Sequence, residues 1–134
     1  MFTQTKKRAA DTSRPTSRLD AAEGKENLSA ARRALKTGDD YVEAVKWYRL
    51  AAWQGHAGAQ NNLGVMYSQG QGVPLDDVLS YMWFNLAASR FPPGKDRDKA
   101  LKGLDLVATL MTSAQIAEAQ ELAREWRPRS EHPK

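Results

Sequence analysis

The chain has 134 residues, 41% of them hydrophobic and 27% charged, and contains no cysteine. That length supports one modest core, and the missing thiol excludes a disulfide scaffold, thiolate metal sites and a cysteine nucleophile. The formal net charge of +4 sits in residues 1–18, where Lys6, Lys7, Arg8, Arg14 and Arg18 face Asp11 alone.

Everything after residue 18 is charge-balanced. The basic character therefore belongs to a tail, and a few such charges supply only salt-sensitive, non-specific attraction to nucleic acid. No apolar run approaches the ~18 residues that a membrane span needs. The charges at the N-terminus have no apolar segment behind them, so they do not read as a secretory signal, and the cytoplasm is the default compartment.

Residues 1–18 read as a disordered tail, with Pro15 and the Ser/Thr residues discouraging a helix. Residues 19–127 then form the helical domain. Leu28, Ala31 and Leu35 recur at helical spacing before Gly38, which predicts a helix over about 26–36. Asp40 with Glu43 three residues on suits an N-cap with a reciprocal partner. Ala44, Trp47, Tyr48, Ala51 and Ala52 line one stripe, and Gly55 stops the helix.

His56 falls just past that stop, where it can answer the helix dipole. Residues 57–68 predict the next helix, with Ala59, Leu63 and Tyr67 inward. Gly64 lies between them. Glycine there costs about 1 kcal/mol against alanine, so a neighbouring helix carrying Trp47 or Trp83 should approach closely. Gly70 and Gly72 supply positive φ in the following loop, Val73 tucks under it, and Pro74 ends the helix.

Asp76 caps a fourth helix whose Ser80, Trp83, Phe84, Ala87 and Ala88 face inward. Pro92, Pro93 and Gly94 break the pattern, and a fifth helix over about 96–110 turns Leu101, Leu104 and Ala108 inward. Thr112 and Gln115 form a capping box, with Met111 and Ile116 as a hydrophobic staple. Ile116, Ala119, Ala123 and Trp126 continue that helix's inner face, Pro128 stops it, and 128–134 reads as a frayed end. The expectation is six helices and no strand, with short loops that make neighbours antiparallel.

The stretch 40–88 contains its own echo. Asp40 returns as Asp76, Trp47 as Trp83, Tyr48 as Phe84, Leu50 as Leu86, and Ala51-Ala52 as Ala87-Ala88, each pair 36 residues apart. A fixed period of that size, with aromatic and small residues in register, marks a solenoid of helical hairpins.

The run from Trp47 to Asp76, W-Y-x-x-A-A-x-Q-G-H-A-x-A-Q-x-N-L-G-x-M-Y-x-x-G-x-G-V-P-x-D, resembles the Sel-1-like repeat family, a relative of the tetratricopeptide repeats. Met111–Trp126 looks like the C-terminal capping helix of bacterial members. The resemblance covers roughly 28–90, with the full repeat at about 40–90 and capping helices at 96–126. It implies a right-handed α/α superhelix of antiparallel helix pairs that holds other proteins or peptides.

Most residues that look like a site read as structure. Trp47, Tyr48, Tyr67, Trp83, Phe84 and Trp126 belong to the core by spacing or recurrence. Gly70 and Gly72 are turn residues, because no Lys/Ser phosphate-binding pattern follows them. His56 and His132 make neither a triad nor a metal site. The reading is a non-enzymatic adaptor with no cofactor and no metal, monomeric or weakly self-associating.

Residues that the stripes leave free carry the binding expectation. The resemblance places the first helix of each pair on the concave groove, which would receive Asn61, Asn62, Val65 and Ser68, with Ser29 and Arg33 from the preceding pair. Asparagine amides can hold an extended backbone, and arginine can hold a carboxylate through two bonds. Trp53 lies off the stripe, either as a surface anchor or packed under the first helix or tail. The alternatives are a nucleic-acid adaptor working through the basic tail and, last, a β-lactam-binding relative, which the absent Ser-x-x-Lys pattern disfavours.

Overall fold

In the computed structural model, which describes residues 40–129, five helices follow one another. They are α1 (Tyr41–Trp53), α2 (Ala57–Gln69), α3 (Asp77–Arg90), α4 (Lys95–Ala108) and α5 (Ser113–Glu125). No strand occurs among the described residues. The helix expected at 26–36 lies outside them, together with Ser29, Arg33 and the basic tail.

Side chains set the helix starts. Oδ1 of Asp40 accepts the Glu43 N–H at 3.0 Å, and Oδ1 of Asp76 accepts the Leu79 N–H at 3.0 Å. Each satisfies a backbone donor that a helix start leaves without an internal partner. The expected return bond from Glu43 to Asp40 is replaced. Glu43 accepts the Trp47 indole N–H at 2.8 Å instead, one turn along the same face.

At α5 the box is complete. Thr112 Oγ1 accepts the Gln115 N–H at 3.1 Å, and Gln115 Oε1 accepts the Thr112 N–H at 2.9 Å. Met111 and Ile116 sit together in one small cluster, as a staple requires. Gly55 follows α1 at φ 98°, a left-handed residue of the kind that ends a helix. Gly72, at φ 77°, passes so near α1 that a Cβ would stand 2.5 Å from the Tyr41 carbonyl oxygen.

Helix α3 is the centre of the packing. It lies against α2, α4 and α5, while α1 packs on α2. Eight of its residues are buried, including Ser80 through Phe84 in succession. A helix enclosed on that many sides cannot show a single apolar stripe. The main cluster joins Ala44, Tyr48, Leu63, Tyr67, Trp83 and Trp126. A second cluster under α5 joins Tyr81, Val107 and Ala119.

Ser80 stands where α1 has Ala44, 36 residues earlier. It is fully buried, and its hydroxyl donates to the Gly64 carbonyl at 2.6 Å. Trp47 lies at the rim, half-buried against the cluster rather than inside it.

The helix that approaches Gly64 is α3, which carries Trp83 as expected, and the contact itself is made by Phe84: a Cβ on Gly64 would stand 2.8 Å from the Phe84 ring. The same ring would stand 2.6 Å from a Cβ on Gly103 of α4. The inner face of α4 is accordingly Ala100, Gly103, Leu104 and Val107, and Leu101 is 40% exposed. Small residues admit the phenyl ring there; of the expected inward set, Leu104 and Ala108 pack against the second cluster and Leu101 alone turns outward.

Candidate partner-binding surfaces

The expected groove residues lie along α2, and the core does not use them. Asn61, Asn62 and Val65 are half-buried, between the buried positions Ala59, Leu63, Met66 and Tyr67. Helical geometry produces that alternation, because the cluster takes one face and leaves the adjoining strip. Among the described residues no group engages the Asn61 or the Asn62 amide, and the Asn61 Oδ1 is shielded from solvent without a donor. Ser68 differs. Its hydroxyl donates to the Val65 carbonyl at 2.7 Å, which spends its hydrogen locally. Arg33, the charged member of the expected set, lies outside the described residues.

Trp53 is the start of a second surface. Its ring meets Trp83 edge-on at 5.7 Å between centroids and Trp126 at 5.6 Å, while Trp83 and Trp126 stand 6.2 Å apart. Edge-on and tilted arrangements of this kind suit the opposed charges of ring face and ring edge. Trp83 and Trp126 are buried; Trp53 stays half-buried at the boundary. The indole N–H of Trp126 is shielded from solvent and has no hydrogen-bond partner among the described residues.

Arginines gather around these rings. The Arg129 guanidinium lies 4.5 Å from the Trp53 ring centre, and Arg90 lies 5.1 Å from that of Trp126. A planar cation over an indole face is attracted by its quadrupole. Burial lowers the Arg90 pKa from its ordinary value. Arg49 donates to the Tyr67 hydroxyl at 2.8 Å, and Arg127 donates to the Arg124 and Trp126 carbonyls at 3.0 and 2.8 Å.

Arg49, Arg127 and Arg129, without Arg90, border an open groove of about 630 Å³ whose lining includes Tyr67, Met82 and the three tryptophans. Glu125 is the single carboxylate of its lining among the described residues. A hydrogen bond with Glu121 raises the Glu125 pKa. Residues 128 and 129, expected to be frayed, are held here: the Arg129 N–H donates to the Trp53 carbonyl.

Sequence reasoning reached Trp53 and Trp126 and missed the arginines. Arg49 lies on no apolar stripe, and Arg127 and Arg129 follow a proline-marked helix end. Their one available signal was the W-R-P-R run at 126–129, which sets cations directly after a core tryptophan. His56 occupies the N-cap position of α2, three residues past the end of α1. No described helix is long and apolar enough to cross a membrane.

Residues 29–56 and 57–90 each match the sequence model of the Sel1 repeat. No curated protein and no solved structure matches the chain. The repeat boundary falls between α1 and α2. The first repeat thus closes with α1, and α2 and α3 make up the second.

Proposed function

The chain belongs to the Sel1-repeat family through residues 29–90, a family whose repeats generally mediate protein–protein interaction, and from that premise we propose that it is a non-catalytic adaptor. It holds an extended segment of a partner protein along the concave face, on the strip of α2 that carries Asn61, Asn62 and Val65. Ser68 closes the far end of that strip, and Arg33, outside the described residues, is assigned to the same partner by its repeat register alone.

The observation that supports this reading is the pair of uncommitted amides. An amide offers two donors and one acceptor with two lone pairs, which matches the alternating N–H and C=O groups of an extended backbone. The Asn61 Oδ1 is shielded and bears the cost of a missing donor, whereas the Asn62 amide is not among the shielded groups and stays accessible to a partner. Val65 supplies apolar contact beside them, and the Arg33 guanidinium suits a carboxylate of the bound segment.

The test is affinity capture from the source cell with the full chain as bait. Arg33→Glu combined with Asn62→Ala should lose a captured protein while helical content by circular dichroism stays unchanged. An unaltered set of captured proteins would remove the α2 strip as the binding surface.

A further inference from the structure

We infer that the groove between Trp53, Trp83 and Trp126 is a second binding site, and that its ligand is an acidic peptide segment bearing apolar side chains. None of its lining residues belongs to the Asn61–Asn62–Val65 strip, so this site and the α2 strip stand or fall separately.

Charge selects the class of ligand. The groove edge carries Arg49, Arg127 and Arg129 against Glu125 alone. Among the described residues none of these arginines has a carboxylate partner, and the ion pair of Arg124 with Glu121 lies elsewhere. Each guanidinium has five N–H donors. Arg49 uses one of its nitrogens on the Tyr67 hydroxyl, and Arg127 uses one on two backbone carbonyls. The remaining donors suit carboxylates, which accept the planar fork through two parallel bonds.

The floor selects against nucleic acid. Single strands bind by stacking bases on open aromatic faces. Here Trp83 and Trp126 are 3% and 8% exposed and pack against each other and against Trp53. The Trp53 ring is stacked by Arg129, and Trp126 by Arg90. Rings engaged in this way offer apolar contact to aliphatic side chains but little open face to a base. Glu125 would also repel a continuous phosphate backbone, whereas a peptide can space its carboxylates around it.

The experiment follows tryptophan fluorescence of the full chain on titration with a short peptide alternating Glu and Leu. The same peptide with Lys for Glu, and an oligothymidylate, serve as the comparison probes. The acidic peptide should bind more tightly than both, and its affinity should fall as salt rises. Arg127→Glu should weaken it by roughly tenfold or more, while Arg97→Glu on α4 leaves it within about twofold. If Arg127→Glu loses its helical signal, Arg49→Gln takes its place with the same requirement. Equal binding of the Lys peptide, tighter binding of the oligothymidylate, or indifference to the groove variants would each overturn the assignment. So would sedimentation showing that a second copy of the chain fills the groove.

Discussion

Phe84 carries more of the packing than its place in the repeat suggests. Its ring lies against Gly64 of α2 and Gly103 of α4 at distances that exclude a methyl group on either. Gly64→Ala gains about 1 kcal/mol of helix propensity but forces the ring to move, and overpacking typically costs about 1–3 kcal/mol. With a second helix pressed on the same ring there is little room to withdraw. Urea denaturation should show net destabilisation for Gly64→Ala and for Gly103→Ala, with partial recovery when either is joined to Phe84→Leu. The first glycine was legible in the sequence, because a glycine within an apolar helical stripe needs a reason. The second was not, since Gly103 falls beside leucines that already satisfy a stripe.

Asn61 links residue chemistry to function at the same scale. Its Oδ1 is shielded without a donor, so the free protein bears the cost of an unmet acceptor. Asn61→Leu should stabilise the free chain by about 1 kcal/mol and weaken partner capture. A variant that gains stability and keeps full capture would assign that amide no part in binding.

At the scale of elements, the caps were the most readable features. Asp40, Asp76 and Thr112 all accept the expected backbone N–H, because a short oxygen side chain before an apolar run has one local use. Thr112→Ala should cost about 1 kcal/mol in thermal or urea unfolding, with Thr112→Ser close to the parent. The rotation of α4 was readable only in part. Leu104 and Ala108 pack inward as their spacing suggests, but so do Ala100 and Gly103, while Leu101 and Leu106 are exposed at 40% and 64%. Hydrophobic spacing favours large residues, and this contact is set by small ones. The reciprocal bond expected from Glu43 failed for a related reason, because Trp47 competes for the same carboxylate one turn away.

Across the whole molecule, the 36-residue echo located the repeat and the core of α1–α3. It carried no information about what the last helix brings back to the start. Trp126 joins Trp53 and Trp83 and ties the C-terminal end to α1 and α3. Trp126→Ala should therefore destabilise the entire fold, by about 3 kcal/mol, the lower end for a buried tryptophan, because its indole N–H has no bond to lose. That is a large share of a typical stability of about 5–15 kcal/mol, and Trp126→Phe should lose less. The groove arginines were invisible for the same reason as this closure. Arg49, Arg127 and Arg129 come together only when α5 folds onto α3.

The proposed adaptor holds a partner segment along the α2 strip, and a photo-crosslinking side chain at Asn62, with one at Arg97 on α4 as the comparison, reads that contact. Covalent adducts with a partner protein should form from position 62, disappear with Arg33→Glu and be absent from position 97. Adducts from position 97 alone, or equal adducts from both that ignore Arg33→Glu, would contradict it.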